Sequence, residues 1–154
     1  MADPETIYNW RRLDERMTTS GQPTEPQLAA IHALGVRHIV NLGLHTHEKA
    51  LPDEAGSLKR LGISYIHIPV DFQKPTDQDF DKFCAAMDEL KDVPVHVHCI
   101  ANYRVSAFFY RYRRDVLGWD DAKARADMEA IWHPERVWAD FISRTAMQLK
   151  TGRG

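Results

Sequence analysis

Between Val93 and Ser106 the chain reads VPVHVHCIANYRVS, and its hydrophobic period changes halfway through. Val93 through His98 is a short β-branched run of the kind found in buried strands. From Val105 onward the apolar positions fall at helical spacing, with Val105, Phe108, Phe109, Tyr112 and Val116 on one face. Only Cys99 through Arg104 lies between. A strand must therefore turn tightly into a helix, with Cys99 at the strand's end and Arg104 at the helix's beginning. A loop curling into a helix N-terminus points several unpaired N–H groups into one hollow, and the helix dipole adds partial positive charge. A thiol beside such a hollow loses its proton readily. Arg104 adds a planar fork suited to the oxygens of a phosphate-like group. A nucleophile and an oxyanion clamp together suggest covalent catalysis on a phosphate ester.

The rest of the chain reads as alternating strands and helices. A strand is expected at Met17–Ser20, followed by the turn Gly21-Gln22-Pro23. A helix starting at Thr24 or Glu25 carries Leu28, Ile31 and Leu34 inward and ends at Gly35. Further strands are expected at Val36–Leu42 and Ile63–Val70, with a short helix at Glu54–Leu61 between them. Thr76 and Asp79 resemble a capping box opening a helix that runs to about Leu90. After the Cys99 segment, Gly118 breaks the chain. Asp120–Trp132 then forms a helix, and Pro134 opens another, in which Val137, Trp138, Phe141, Ile142, Thr145 and Leu149 share a face. The tail from Thr151 to Gly154 is expected to fray. The expected fold is α/β: a small, mostly parallel central sheet flanked by helices, with a C-terminal helical cluster. Ligands in such sheets sit beyond the carboxyl ends of the strands, where both Cys99 and Asp71 fall.

The segment HCIANYRVS resembles the signature loop of the protein-tyrosine-phosphatase superfamily, especially its dual-specificity and bacterial phosphatase-like branches. The usual pattern is His-Cys, five residues, Arg, then Ser or Thr. Here four residues separate Cys99 from Arg104, and the hydroxyl, Ser106, comes two positions after the arginine. A related bacterial subgroup uses the four-residue spacing. So does the rhodanese family, whose loop cradles a persulfide sulfur. The resemblance extends along nearly the whole chain, through the Ser-Gly-Gln-Pro turn, the Val-Asn-Leu strand end and the Ile-Pro-Val-Asp segment, in that order.

The resemblance implies a metal-independent phosphomonoester hydrolase of the phosphotyrosine or dual-specificity type. It needs no cofactor, and its partner is a phosphorylated protein or a small phosphomonoester. Cys99 is the expected nucleophile and Arg104 the oxyanion clamp, with the backbone of Ile100, Ala101, Asn102 and Tyr103 completing the phosphate cradle. Asn102 tolerates a left-handed backbone and is placed to make the turn. His98 is expected to orient the loop and help keep the thiolate. Ser106 corresponds to the hydroxyl that stabilises the departing thiolate. Asp71 follows a strand ending in Pro-Val and is the general-acid candidate; its alternative is an aspartate that begins a turn. Tyr103 either walls the pocket or packs. A rhodanese-like sulfurtransferase and a catalytically weak phosphate-binding module remain as alternatives.

Several residues have plainer readings. His96 points the same way as His98 and reads as a core histidine. His45 and His47 read as loop surface; pairing them with His96 and His98 around a metal lacks a defined further ligand. Arg111, Arg113 and Arg114 read as a solvated basic face. Cys84, within FCAAM, reads as core. With 154 residues, 44% hydrophobic and 27% charged, the chain suits a single domain over its whole length. A net charge of −2 gives no reason to expect nucleic acid or anionic membrane as a partner. No apolar run approaches the ~20 residues of a membrane span. The N-terminus lacks a secretory pattern, and two cysteines make no disulfide framework, so a cytoplasmic location is expected.

Overall fold

The computed structural model describes residues 2–145. Five strands form one sheet: β1 (Arg11–Arg12), β2 (Met17–Ser20), β3 (His38–Asn41), β4 (Ser64–His67) and β5 (Val95–His98). Their order across the sheet is β1-β2-β5-β3-β4. All neighbours are parallel except β1, which runs antiparallel to β2 at the edge. The last strand thus sits in the middle, with β2 and β3 on its two sides. That position buries it on both faces, which is why Val95 to His98 is fully buried despite two histidines. The strands are shorter than the apolar runs suggest, because Val36, Ile63 and Ile68 are buried outside the paired registers.

Helices cover both faces. On one side α1 (Glu25–Ala33) and α2 (Glu54–Arg60) pack Leu28, Ile31 and Leu58 against Ile39. On the other, α3 (Asp77–Glu89), α4 (Tyr103–Arg111), α5 (Asp121–Ile131) and α6 (Val137–Ser143) enclose a larger core. Val40, Val95 and Val97 meet Phe80, Phe83, Phe108, Trp138 and Phe141 there. Side chains alternate across a strand, so β5 gives its valines to this core and its histidines to the opposite face. There His96 stacks on Trp10. Capping boxes open α1 at Thr24 and α3 at Thr76, as their Ser/Thr-x-x-acid/amide spacing requires. Among the described residues no helix is long and apolar enough to cross a membrane.

Three expectations need correction. Val116 does not share the buried face of α4: the helix ends in a π-turn over Tyr112–Val116, closed by the Leu117 N–H on the Tyr112 carbonyl. The extra residue per turn rotates the face outward, leaving Val116 at 48% and Leu117 at 51% exposure. The run Arg111, Arg113, Arg114 is no solvated face. Arg111 is fully buried between Phe80 and Phe141 and pairs with Asp77 at 3.2 Å. Arg113 is buried and pairs with Asp127, while Arg114 pairs with Asp115. Carboxylates from α3, α5 and the π-turn itself make that burial affordable. Finally, Pro134 lies outside α6, which begins at Val137 after Arg136. Leu149 and the tail fall outside the described residues.

Candidate active site

The carboxyl ends of β2, β3, β4 and β5 lie along one edge, and the loop after β5 rises from the middle of it. Cys99 ends the strand with 0% exposure and continues the pairing through its N–H to the Ser20 carbonyl. Asn102 then turns the chain at φ 68°, ψ 8°, the left-handed conformation that asparagine tolerates best after glycine. Helix α4 begins at the next residue. The amides of its first turn have no intrahelical acceptor, and the Asn102 side chain caps none of them. That side chain faces backward, donating to the Asn9 carbonyl at 2.9 Å and to Thr19 Oγ1 at 3.1 Å. Asn9, itself at φ 50°, returns a bond from its own side chain to the Ala101 carbonyl at 2.9 Å. This reciprocal clasp ties the loop to the N-terminal arm.

A second brace comes from the turn after β2. The Gly21 N–H donates to Tyr8 and the Gln22 N–H to the Ile100 carbonyl. A Cβ at Gly21 would sit 2.5 Å from the Ile100 carbonyl oxygen, so glycine is required for the turn to lie against the loop. Gln22 then reaches Glu54 Oε1 at 3.0 Å. Glu54 Oε2 holds His98 Nε2 at 2.6 Å, with both side chains almost wholly buried. His98 Nδ1 in turn contacts the Cys99 carbonyl at 3.0 Å. A carbonyl only accepts, so Nδ1 carries a hydrogen. The other nitrogen faces a carboxylate, so the ring and Glu54 together hold a second proton between them. Burial works to raise the Glu54 pKa, but the His98 charge and the bonds from His98 and Gln22 outweigh it and hold it below the usual range. The pair lies behind the loop that carries Cys99 and has no net charge. His98 thus touches the loop at the Cys99 carbonyl. Glu54 was not singled out from the sequence, because an acid in a helix's first turn is ordinarily explained by the dipole.

Arg104 lies in the first turn of α4 with 6% exposure. Its Nε is buried without a partner, and no carboxylate pairs with it among the described residues. The other buried arginines, Arg111 and Arg113, each have one. The guanidinium lies 5.2 Å from the Phe72 ring centre. Arg104, Ile100, Ala101 and Tyr103 line a cavity of about 280 Å3, completed by His47 and Phe72. So four of the loop residues singled out from the sequence share one hollow. Cys99 and Asn102 are fully buried and do not line it.

Asp71 is exposed at the loop after β4, next to Phe72. Its Oδ1 accepts the Gln73 N–H at 2.9 Å and its carbonyl accepts Lys74, so it does begin a turn. Ser106 has its single proton on the Tyr103 carbonyl and accepts the Trp132 indole N–H at 3.0 Å. In this arrangement it joins α4 to α5 and has no proton to offer a thiolate. Tyr103 both lines the cavity and packs, stacked on Trp132 at 4.5 Å with 4° between planes. The aromatic wall of Phe72, Trp132 and Trp138 comes from three separate segments, and no local pattern announces it.

The histidines sort as follows. His96 is buried, between Thr18 and Ser20. Ser20 donates its proton to the Gly21 carbonyl, so it accepts from His96 Nε2, and Nδ1 accepts from Thr18. The ring is therefore neutral, and burial together with the neighbouring His98 pushes its pKa well down. His45 stacks on His67 at 3.8 Å and contacts the Tyr65 hydroxyl. Among the described residues no group of three or more His, Cys, Asp or Glu could hold a metal ion. Neither cysteine is in a disulfide.

Known proteins share this fold. A candidate phosphatase of the DUF442 group from Shewanella putrefaciens CN-32 is 31% identical, with a TM-score of 0.81 over 92% of this chain and 93% of its own. Pseudomonas aeruginosa TpbA, solved in complex with phosphotyrosine, shares the fold at 20% identity and a TM-score of 0.75, covering 100% of this chain and 95% of its own. The core catalytic domain of the PP-IP phosphatase SIW14 from Saccharomyces cerevisiae does so at 15% identity and a TM-score of 0.75, covering 90% of this chain and 86% of its own. Among curated proteins, the beta-lactamase hydrolase-like protein of Agrobacterium fabrum is 29% identical over 101 residues, 64% of this chain. The match spans 23% of that protein's length. The family model described as "DSP-PTPase phosphatase fused to NAD+ Kinase" matches residues 6–139. Taken with the sheet order and the Cys99–Arg104 loop, that match places the chain in this dual-specificity-type phosphatase family of the protein-tyrosine-phosphatase superfamily.

Proposed function

We propose that the protein hydrolyses phosphomonoesters through a cysteinyl-phosphate intermediate. The observation that carries this reading is Arg104, 6% exposed and with no carboxylate partner among the described residues, at a cavity lined by its own loop. A buried cation without a counter-charge costs several kcal/mol, about 3–5 when a partner is missing. A phosphate at the loop removes that cost through paired N–H···O bonds. In the first step the Cys99 thiolate attacks phosphorus in line, the S–P bond forms and the bond to the leaving oxygen breaks. Amides of the α4 first turn and Arg104 take the equatorial oxygens. Asp71 gives its proton to the leaving oxygen. In the second step water attacks phosphorus, Asp71 accepts the water's proton, and Cys99 leaves as thiolate. The His98–Glu54 pair braces the loop through the Cys99 carbonyl throughout the cycle. The loop carries no lysine, which favours singly phosphorylated substrates such as phosphotyrosine.

Turnover of an aryl phosphate, followed by phosphate release, tests the scheme. Cys99→Ser should abolish turnover and keep phosphate binding. EDTA should leave the rate unchanged, and loss of turnover on chelation would overturn the metal-free scheme. Asp71→Asn retains the oxygen that holds the turn and loses only the proton. It should lower kcat about 10²-fold for poor leaving groups and much less for good ones. Formation of thiocyanate from thiosulfate and cyanide, without phosphate release, would support the sulfurtransferase reading instead.

A further inference from the structure

Phe72 lines two cavities. One is the Arg104 cavity; the other, of about 320 Å3, lies toward α6 and has Trp132 and Trp138 in its walls. No residue of the Cys99 loop lines this second cavity. The two are joined by rings: Tyr103 stacks on Trp132, and Phe72 lies 5.9 Å from Trp132 and 5.5 Å from Trp138. The Trp138 N–H fixes the floor by donating to the Phe72 carbonyl at 2.8 Å. The rim is polar, formed by Gln73, His133, Glu135 and Arg136.

Arg136 is the unusual member of that rim. Its backbone sits at φ 55°, ψ −126°, a conformation that suits glycine and strains any L side chain. Among the described residues its side chain has no ion pair or hydrogen bond, whereas Arg113, Arg114, Arg125 and Arg144 all pair with carboxylates. The exposed guanidinium is therefore available to a ligand. The site combines flat apolar walls for a ring and a guanidinium for an anion.

We propose that this second cavity is the subsite for the non-reacting end of the substrate. It takes an aryl phosphomonoester carrying a second anionic group beyond the ring, with the ring against Phe72 and Trp132 and the anion at Arg136. The assignment rests on the phosphatase reading of the Cys99 loop.

The test compares 3-(4-phosphonooxyphenyl)propanoate with its neutral amide, whose phenol is equally good as a leaving group. The carboxylate should be preferred by about five- to tenfold in kcat/KM. Arg136→Gln and Arg136→Gly should both erase the preference while leaving phenyl phosphate turnover unchanged. Arg136→Gly should in addition raise Tm by about 2–4 °C through relief of strain. Equal kcat/KM for acid and amide in the unaltered protein, or a preference that survives both substitutions, would overturn the subsite. If no aryl phosphate turns over, calorimetry with the matching phosphonates reads the same preference. Binding that favours the carboxylate in an Arg136-dependent way then keeps the subsite while the hydrolase reading falls. Binding without preference removes the subsite.

Discussion

Arg104 holds its guanidinium where no described carboxylate meets it, so an anion should matter to the protein's stability as well as to its chemistry. Arg104→Met keeps the packing beside Phe72 and deletes the charge. In phosphate-free buffer this variant should melt no lower than the parent, and it should lose the rise in Tm that millimolar phosphate gives the parent. A parent with no such rise would count against the anion site. Glu54 poses the opposite case, a buried charge that is paired. Glu54→Gln strips the partner from His98 and should destabilise by about 3–5 kcal/mol in urea unfolding. Its effect on the loop is separable: the rate of Cys99 alkylation by iodoacetamide should rise as the loop loosens around the buried thiol. An alkylation rate identical to the parent's would mean that the loop keeps its shape without the pair.

At the level of elements, the strand–loop–helix around Cys99 was legible because its two halves have different periods. The left-handed turn at Asn102 was legible because few residues tolerate it. The capping boxes at Thr24 and Thr76 follow from local spacing in the same way. What the sequence hid depends on contacts between distant segments. Glu54 meets His98 across 44 positions and Asn9 meets Ala101 across 92. The π-turn at Tyr112–Val116 hid for a different reason: an apolar periodicity cannot reveal that a helix gains a residue per turn. The buried arginines were misjudged because a charge run looks solvated until its carboxylates are placed. Gly21 tests how closely one element is fitted to another. Gly21→Ala places a methyl 2.5 Å from the Ile100 carbonyl oxygen. The turn and the loop must separate, so we expect a loss of about 1–3 kcal/mol with weaker phosphate binding by calorimetry. Unchanged affinity would show that the loop keeps its shape without this brace.

Across the whole molecule, the buried His96 links folding to acidity. Its folded pKa lies well below the ordinary 6.5, because burial and the nearby His98 disfavour the charged ring. Below that ordinary value the unfolded chain binds a proton that the folded chain does not. Stability should therefore fall as pH drops below 6.5, by up to ~1.4 kcal/mol per unit. Glu54 adds a second loss lower down, as pH falls through its own depressed folded value. A urea midpoint that stays constant between pH 7.5 and 5.5 would refute the first part.

The asparagine clasp fixes when the site can exist. Asn9 and Asn102 sit 93 positions apart, and the anion-holding curve is complete only after the arm before β1 has closed onto the centre of the sheet. Closure over so long a span belongs late in folding. A dissolved anion should then slow the unfolding arm of a chevron plot and leave the refolding arm where it was.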